Sequence, residues 1–150
     1  MRCAATLLAS LALASCGGGS DSTGPITVPD ANIAGDWNLT FTNMEGGGVN
    51  CHTSAIAATI TQTASTFTGI GTTAWTLTCV SGSDTQSSPE DSVTITNGTV
   101  HGKTITFSLA TSATLQSGTL DGNTISGTAS WTLNIGNGVV TLGGQFSMTR

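Results

Sequence analysis

The chain has 150 residues and a formal net charge of −5, with 37% hydrophobic and only 7% charged positions. The length suits one domain, and charge this sparse excludes a coiled coil, a bundle of solvated charged helices and a strongly charged disordered chain. Its cations are Arg2, Lys103 and Arg150 alone, so no basic patch forms, which argues against nucleic acid as a partner and excludes electrostatic docking onto anionic lipid.

Residues 1–15 read as an export signal. Arg2 supplies a short positive start, and Ala4 to Ala14 form an apolar run too short to span a bilayer. Leu13-Ala14-Ser15-Cys16 then resembles the lipobox of bacterial lipoproteins. The resemblance implies cleavage before Cys16, a diacylglyceryl thioether on its thiol and an acylated amine. Each buried methylene of such chains adds roughly 0.8 kcal/mol, so several chains anchor the protein to a membrane effectively permanently. The alternative is an ordinary secretory signal followed by a chance cysteine. Members of that family retained at the inner membrane carry Asp after the modified cysteine. Gly17 in that place implies an exported protein at the outer membrane of a double-membraned bacterium.

Residues 16–32 would be the lipidated cysteine and a Gly/Ser-rich tether, for which about fifteen flexible residues reach roughly 20 Å. With Cys3 removed in the leader and Cys16 modified, Cys51 and Cys79 remain. In an exported protein such a pair reads as one disulfide, the alternative being two free thiols.

From residue 33 onward the apolar positions recur with period two. Trp37, Leu39 and Phe41 share a face, as do Ile56, Ala58 and Ile60, then Phe67, Trp75 and Leu77, then Ile105, Phe107 and Leu109, and finally Ile125, Ala129, Trp131 and Leu133. Eight strands are predicted, over 35–43, 54–63, 66–80, 91–101, 103–110, 113–121, 123–134 and 139–149. Residues 98–106 and 118–126 repeat one another, as successive hairpins of a meander would.

Two-residue turns at Gly102-Lys103 and Gly122-Asn123, each with glycine at positive φ, set Val100 opposite Ile105 and Leu120 opposite Ile125. A turn at Gly136-Asn137 sets Trp131 opposite Leu142 and Gly127 opposite Phe146. Val100 and Leu120 break the parity of their strands, which predicts β-bulges near Gly98 and Gly118. A turn at Ala64-Ser65, carried along its strands, brings Cys51 opposite Thr78 and beside Cys79, within disulfide range. The fold expected for residues 33–150 is all-β: an eight-stranded antiparallel up-and-down β-barrel, with a β-sandwich as the alternative.

Gly35-Asp36-Trp37 at the first strand and Arg150 at the end of the last resemble the calycin pattern of lipocalins, fatty-acid-binding proteins and avidins. In that superfamily a G-x-W motif opens the barrel and a basic residue packs over the tryptophan. The resemblance implies that Gly35, Trp37 and Arg150 close the barrel, with a cation–π contact worth about 0.5–2 kcal/mol. It covers residues 33–150 by topology, and no ligand carries over with it.

The inventory for chemistry is poor, and neither an enzyme nor a bound metal or cofactor is expected. His101 lies beside a predicted turn. His52 adjoins Cys51, whose better use is the disulfide. Glu90-Asp91 reads as a solvated pair in the loop 81–91, and no serine stands in a G-x-S-x-G setting. Gly46-Gly47-Gly48 lacks the lysine and helix of a phosphate loop. The barrel interior remains, with Phe41, Phe67, Trp75, Phe107 and Trp131 as the candidate lining for a small hydrophobic ligand. Gly69, Gly71, Gly127, Ala129 and Gly144 leave room between them for either a guest or a packed core. The reading with a filled core is a structural or interaction module of the envelope, acting through its loops on a protein partner the sequence does not name.

Overall fold

A computed structural model describes residues 28–71, 74–110, 112–135 and 138–150. The leader, Cys16 and most of the expected tether lie outside the described residues, as does the turn at Gly136-Asn137. The described chain folds into a closed antiparallel barrel of eight strands without helices.

The barrel wall is made by β1 (Gly35–Gly46), β3 (Ile56–Thr63), β4 (Thr66–Gly71), β7 (Val93–His101), β8 (Thr104–Leu109), β9 (Ser112–Asp121), β10 (Thr124–Ile135) and β11 (Gly138–Thr149). Each stave pairs with the next in the chain. β11 returns to β1 with Leu39 opposite Met148 and Phe41 opposite Phe146, which closes the cylinder. Alternation explains why: Trp37, Leu39 and Phe41 are buried inside, while Asn38 and Thr42 face water. The registers expected at the turns are present, with Val100 opposite Ile105, Leu120 opposite Ile125, Trp131 opposite Leu142 and Gly127 opposite Phe146. Gly102 and Gly122 take φ of 60° and 57°, the left-handed region a glycine enters without steric cost.

Three differences from the sequence reading stand out. First, the third predicted strand, 66–80, is broken into β4 and β5 (Trp75–Ser81), and a strand that was not expected, β2 (Val49–Thr53), precedes β3; β2 and β5 leave the wall and pair with each other. Residues 84–90, expected within a loop, form β6 (Asp84–Glu90), a hairpin partner of β5. β2, β5 and β6 thus make a three-stranded flap rising from β1, with β6 as a free edge. Pro89, Asp84 and Glu90 sit on that edge strand, where proline is tolerated and charge discourages further pairing.

Second, the bulge expected near Gly98 is found at Asn97–Gly98, where Asn97 has φ 52°, but the one expected near Gly118 is not. The inward face of β9 instead runs back from Leu120 through Gly118 to Gln116, which is 1% exposed. The register irregularity falls between Leu115 and Ser112. Third, pairing slips by one residue across the break, so Cys51 faces Cys79 directly rather than Thr78, and the two are disulfide-bonded.

The two ends of the cylinder differ. At the end holding the turns at Gly102 and Gly122, a strap of residues 30–33 crosses the opening. Ala31 N–H donates to the Gly102 carbonyl at 2.9 Å, and the Asp30 carboxylate accepts from Gly102 N–H at 2.8 Å. The Gln62 side-chain amide clamps the strap, accepting from Ile33 N–H and donating to the Ala31 carbonyl. Ile33 is fully buried beneath it. The opposite end carries the flap and the β10–β11 hairpin.

Candidate functional site

The barrel interior holds a continuous chain of rings. Phe67 meets Phe107 at 6.3 Å between centroids, Phe107 meets Phe146 edge-on at 5.2 Å, and Phe146 meets Phe41 at 6.4 Å. Phe41 meets Trp131 at 5.4 Å, and Trp131 meets Trp75 at 5.8 Å. All five residues expected to line a pocket are buried in this series, the Phe67–Phe107 pair joined to Phe41, Trp131 and Trp75 through Phe146. Phe146, which the sequence reading did not single out, sits at its centre.

The room left by the glycines is taken. A Cβ at Gly69 would lie 2.6 Å from Ile60 Cδ1, and one at Gly144 2.7 Å from Met44 Sδ. Gly118 and Gly127 lie opposite each other, and a Cβ at Gly118 would lie 2.7 Å from the Phe146 ring. Small residues here admit large neighbours, which is how a small barrel fills itself.

The closure residues meet as expected. The Arg150 guanidinium stands 4.3 Å from the centre of the Trp37 ring and donates to the Asn32 carbonyl at 2.8 Å. Trp37 Nε1 donates to the Ile33 carbonyl at 2.8 Å, so the tryptophan ties the strap to the first stave. Gly35 has φ 121°, a conformation open to glycine and hostile to other residues.

Open space is found at the mouth. A cleft of about 640 Å³ lies between the flap and the upper part of β10. Val49, Leu77, Cys79 and Leu133 give it apolar surface, and Ser81, Asp84, Gln86, Ser87, Ser88 and Glu90 give it a polar wall. Leu77 and Leu133 follow Trp75 and Trp131 by two residues on β5 and β10, so the cleft continues the ring series upward. The disulfide joins β2 to β5 at this level and holds the flap together.

Glu90 lies opposite Trp75 and accepts from the Ser88 hydroxyl at 3.3 Å. The Trp75 indole N–H is buried without a hydrogen-bond partner among the described residues. A second cavity of about 430 Å³ lies at the Asn97–Gly98 bulge, lined largely by threonines of β3 and β4. His52 and His101 are both exposed, and no cluster of three or more metal-ligating side chains occurs among the described residues.

The polar wall escaped the sequence reading because Asp84 to Glu90 contains no apolar residue to mark a strand. Leu77 and Leu133 were legible from their parity, although as interior positions rather than as the rim.

Fold and site together define a closed eight-stranded antiparallel barrel with a ring-filled interior and one two-faced cleft at its mouth. The chain matches no family model, no curated protein and no solved structure.

Proposed function

We propose that the protein is an exported, lipid-anchored barrel of calycin type that binds a small, largely apolar molecule at its mouth, without catalysing a reaction. The observation that carries this reading is the cleft, large enough for a small molecule and continuous through Leu77 and Leu133 with the Trp75–Trp131 pair. Desolvation of the guest against Val49, Leu77 and Leu133 is the driving force, and the seryl and amide groups of β6 orient it. The calycin component rests on the Trp37–Arg150 contact at barrel closure. The anchor rests on the lipobox at Cys16.

Native mass spectrometry of protein taken from its own envelope tests the binding reading. A retained small molecule that is lost in Leu133→Asp supports it, and a bare polypeptide with no fluorescence response to a broad panel of neutral and charged probes refutes it. The anchor is tested by the mass of the mature N-terminus. Cys16 carrying acyl chains is expected, and an unmodified Cys16 would sink that component.

A second reading is favoured by the packed ring series. With the interior full, the barrel is also a rigid support for its flap and hairpins, as an envelope interaction module would require. Capture of a partner protein that survives Leu133→Asp but not disruption of the flap would favour it.

A further inference from the structure

We propose that the mouth cleft selects a cationic amphiphile, a molecule with an apolar body and a single amine or guanidine head. This rests on reading the cleft as a ligand site. The cleft has two kinds of lining: the apolar Val49, Leu77 and Leu133, and, on β6 in register beside β5, the polar Asp84, Gln86 and Glu90. Both ionisable groups in its lining are carboxylates, and no Lys, Arg or His lines it. Glu90 is half-buried and held by the Ser88 hydroxyl, so one carboxylate is positioned where water is partly excluded.

Among the described residues, no cationic side chain at the mouth competes for these charges. Lys103 follows the Gly102 turn and Arg150 packs on Trp37, both at the strapped end of the barrel. His52 lies next to Cys51 on β2, and alternation directs it away from the face that carries Val49 and the buried Cys51. An anionic guest, such as a fatty acid, would meet two like charges and no counter-charge. A neutral guest would gain the apolar wall alone. A cation on an apolar body satisfies both kinds of surface at once: its body lies against Leu77 and Leu133 while its single head meets one carboxylate, Glu90 or Asp84, which the extended strand holds roughly 20 Å apart.

The test uses three probes with the same body and different heads: phenylbutylamine, phenylbutanol and phenylbutyrate. Each is titrated into the purified protein by calorimetry, with tryptophan fluorescence as a parallel readout. The amine should bind more tightly than the alcohol by roughly two- to fivefold through the one carboxylate its head engages, and the butyrate should bind most weakly. The advantage of amine over alcohol should shrink with added salt and fall to about one in the Asp84→Asn, Glu90→Gln double variant. Equal affinities of amine and alcohol in the unsubstituted protein, or an advantage that survives the double variant, overturn the inference and leave the cleft standing as a site for neutral guests. Failure of all three probes to bind overturns the reading of the cleft itself.

Discussion

Gln116 shows how one polar side chain completes a sheet. β9 and β10 pair from Asp121–Thr124 only as far as Ser117–Thr128, and there the two strands part. At the next outward-directed backbone pair, the Gln116 amide supplies both bonds a strand would have made. It accepts from Ser130 N–H at 2.9 Å and donates to the Ser130 carbonyl at 2.8 Å. Gln116→Leu keeps the volume but strips both bonds from a buried peptide group, and chemical denaturation should register a loss of about 2–4 kcal/mol. Gln116→Glu is the more discriminating variant. Only its protonated form can both accept and donate, and burial raises the pKa of the new carboxyl in the folded state above its unfolded value. The variant should therefore be closest to the parent at acidic pH and lose stability as pH rises through that folded-state pKa, a sign opposite to ordinary acid denaturation. At the other end, Arg150→Ala removes the contact with Trp37 and the bond to Asn32, for an expected loss of about 1–2 kcal/mol accompanied by a change in Trp37 fluorescence.

Among the elements, the hairpins follow from their turns. Ala64 opens the β3–β4 turn with φ 51°, a conformation that costs a residue with a Cβ. Ala64→Gly should raise the unfolding midpoint, with a gain of about 0.5–1 kcal/mol. The flap depends on its covalent link. Cys51 and Cys79 are separated by 28 residues and join β2 to β5 where those strands have left the wall. Reduction, or the Cys51→Ala, Cys79→Ala pair, should cost about 2–4 kcal/mol and weaken any guest bound at the mouth. Most staves were legible in the sequence because Trp37–Phe41, Ile56–Ile60 and Ile125–Leu133 alternate cleanly and glycine marks the turns between them. β6 was not, because its residues bury almost nothing. It forms because β5 offers an unpaired edge, a tertiary cause that leaves no local trace in Asp84 to Glu90. No bulge forms at Gly118 for a related reason: the apolar residues of β9 alone suggest a change of parity there, but the inward residue before Gly118 is the polar Gln116.

For the molecule as a whole, closure and filling are two aspects of one pattern. The pairing of β11 with β1 leaves the eight-stranded wall without an edge, and the glycines facing Phe146, Ile60 and Met44 let large side chains reach across the interior. Phe146→Ala, at the hub of the ring series, should destabilise by about 3–5 kcal/mol in thermal or denaturant unfolding. Gly118→Ala should also destabilise, by about 1–3 kcal/mol, since its methyl would collide with that ring and with the Ser126 carbonyl. The candidate site was less legible than the barrel, because a cleft between two hairpins is set by where strands diverge, which no single strand encodes. The strap has a directional consequence. The chain enters at the closed floor beside Gly102, and β1, twelve residues long, climbs from there to the rim. A tilted strand of that length rises about 30 Å. Anything gripping the protein upstream of Asp30 therefore holds it by its base, like a goblet by the stem, and leaves the flap and its cleft at the far lip.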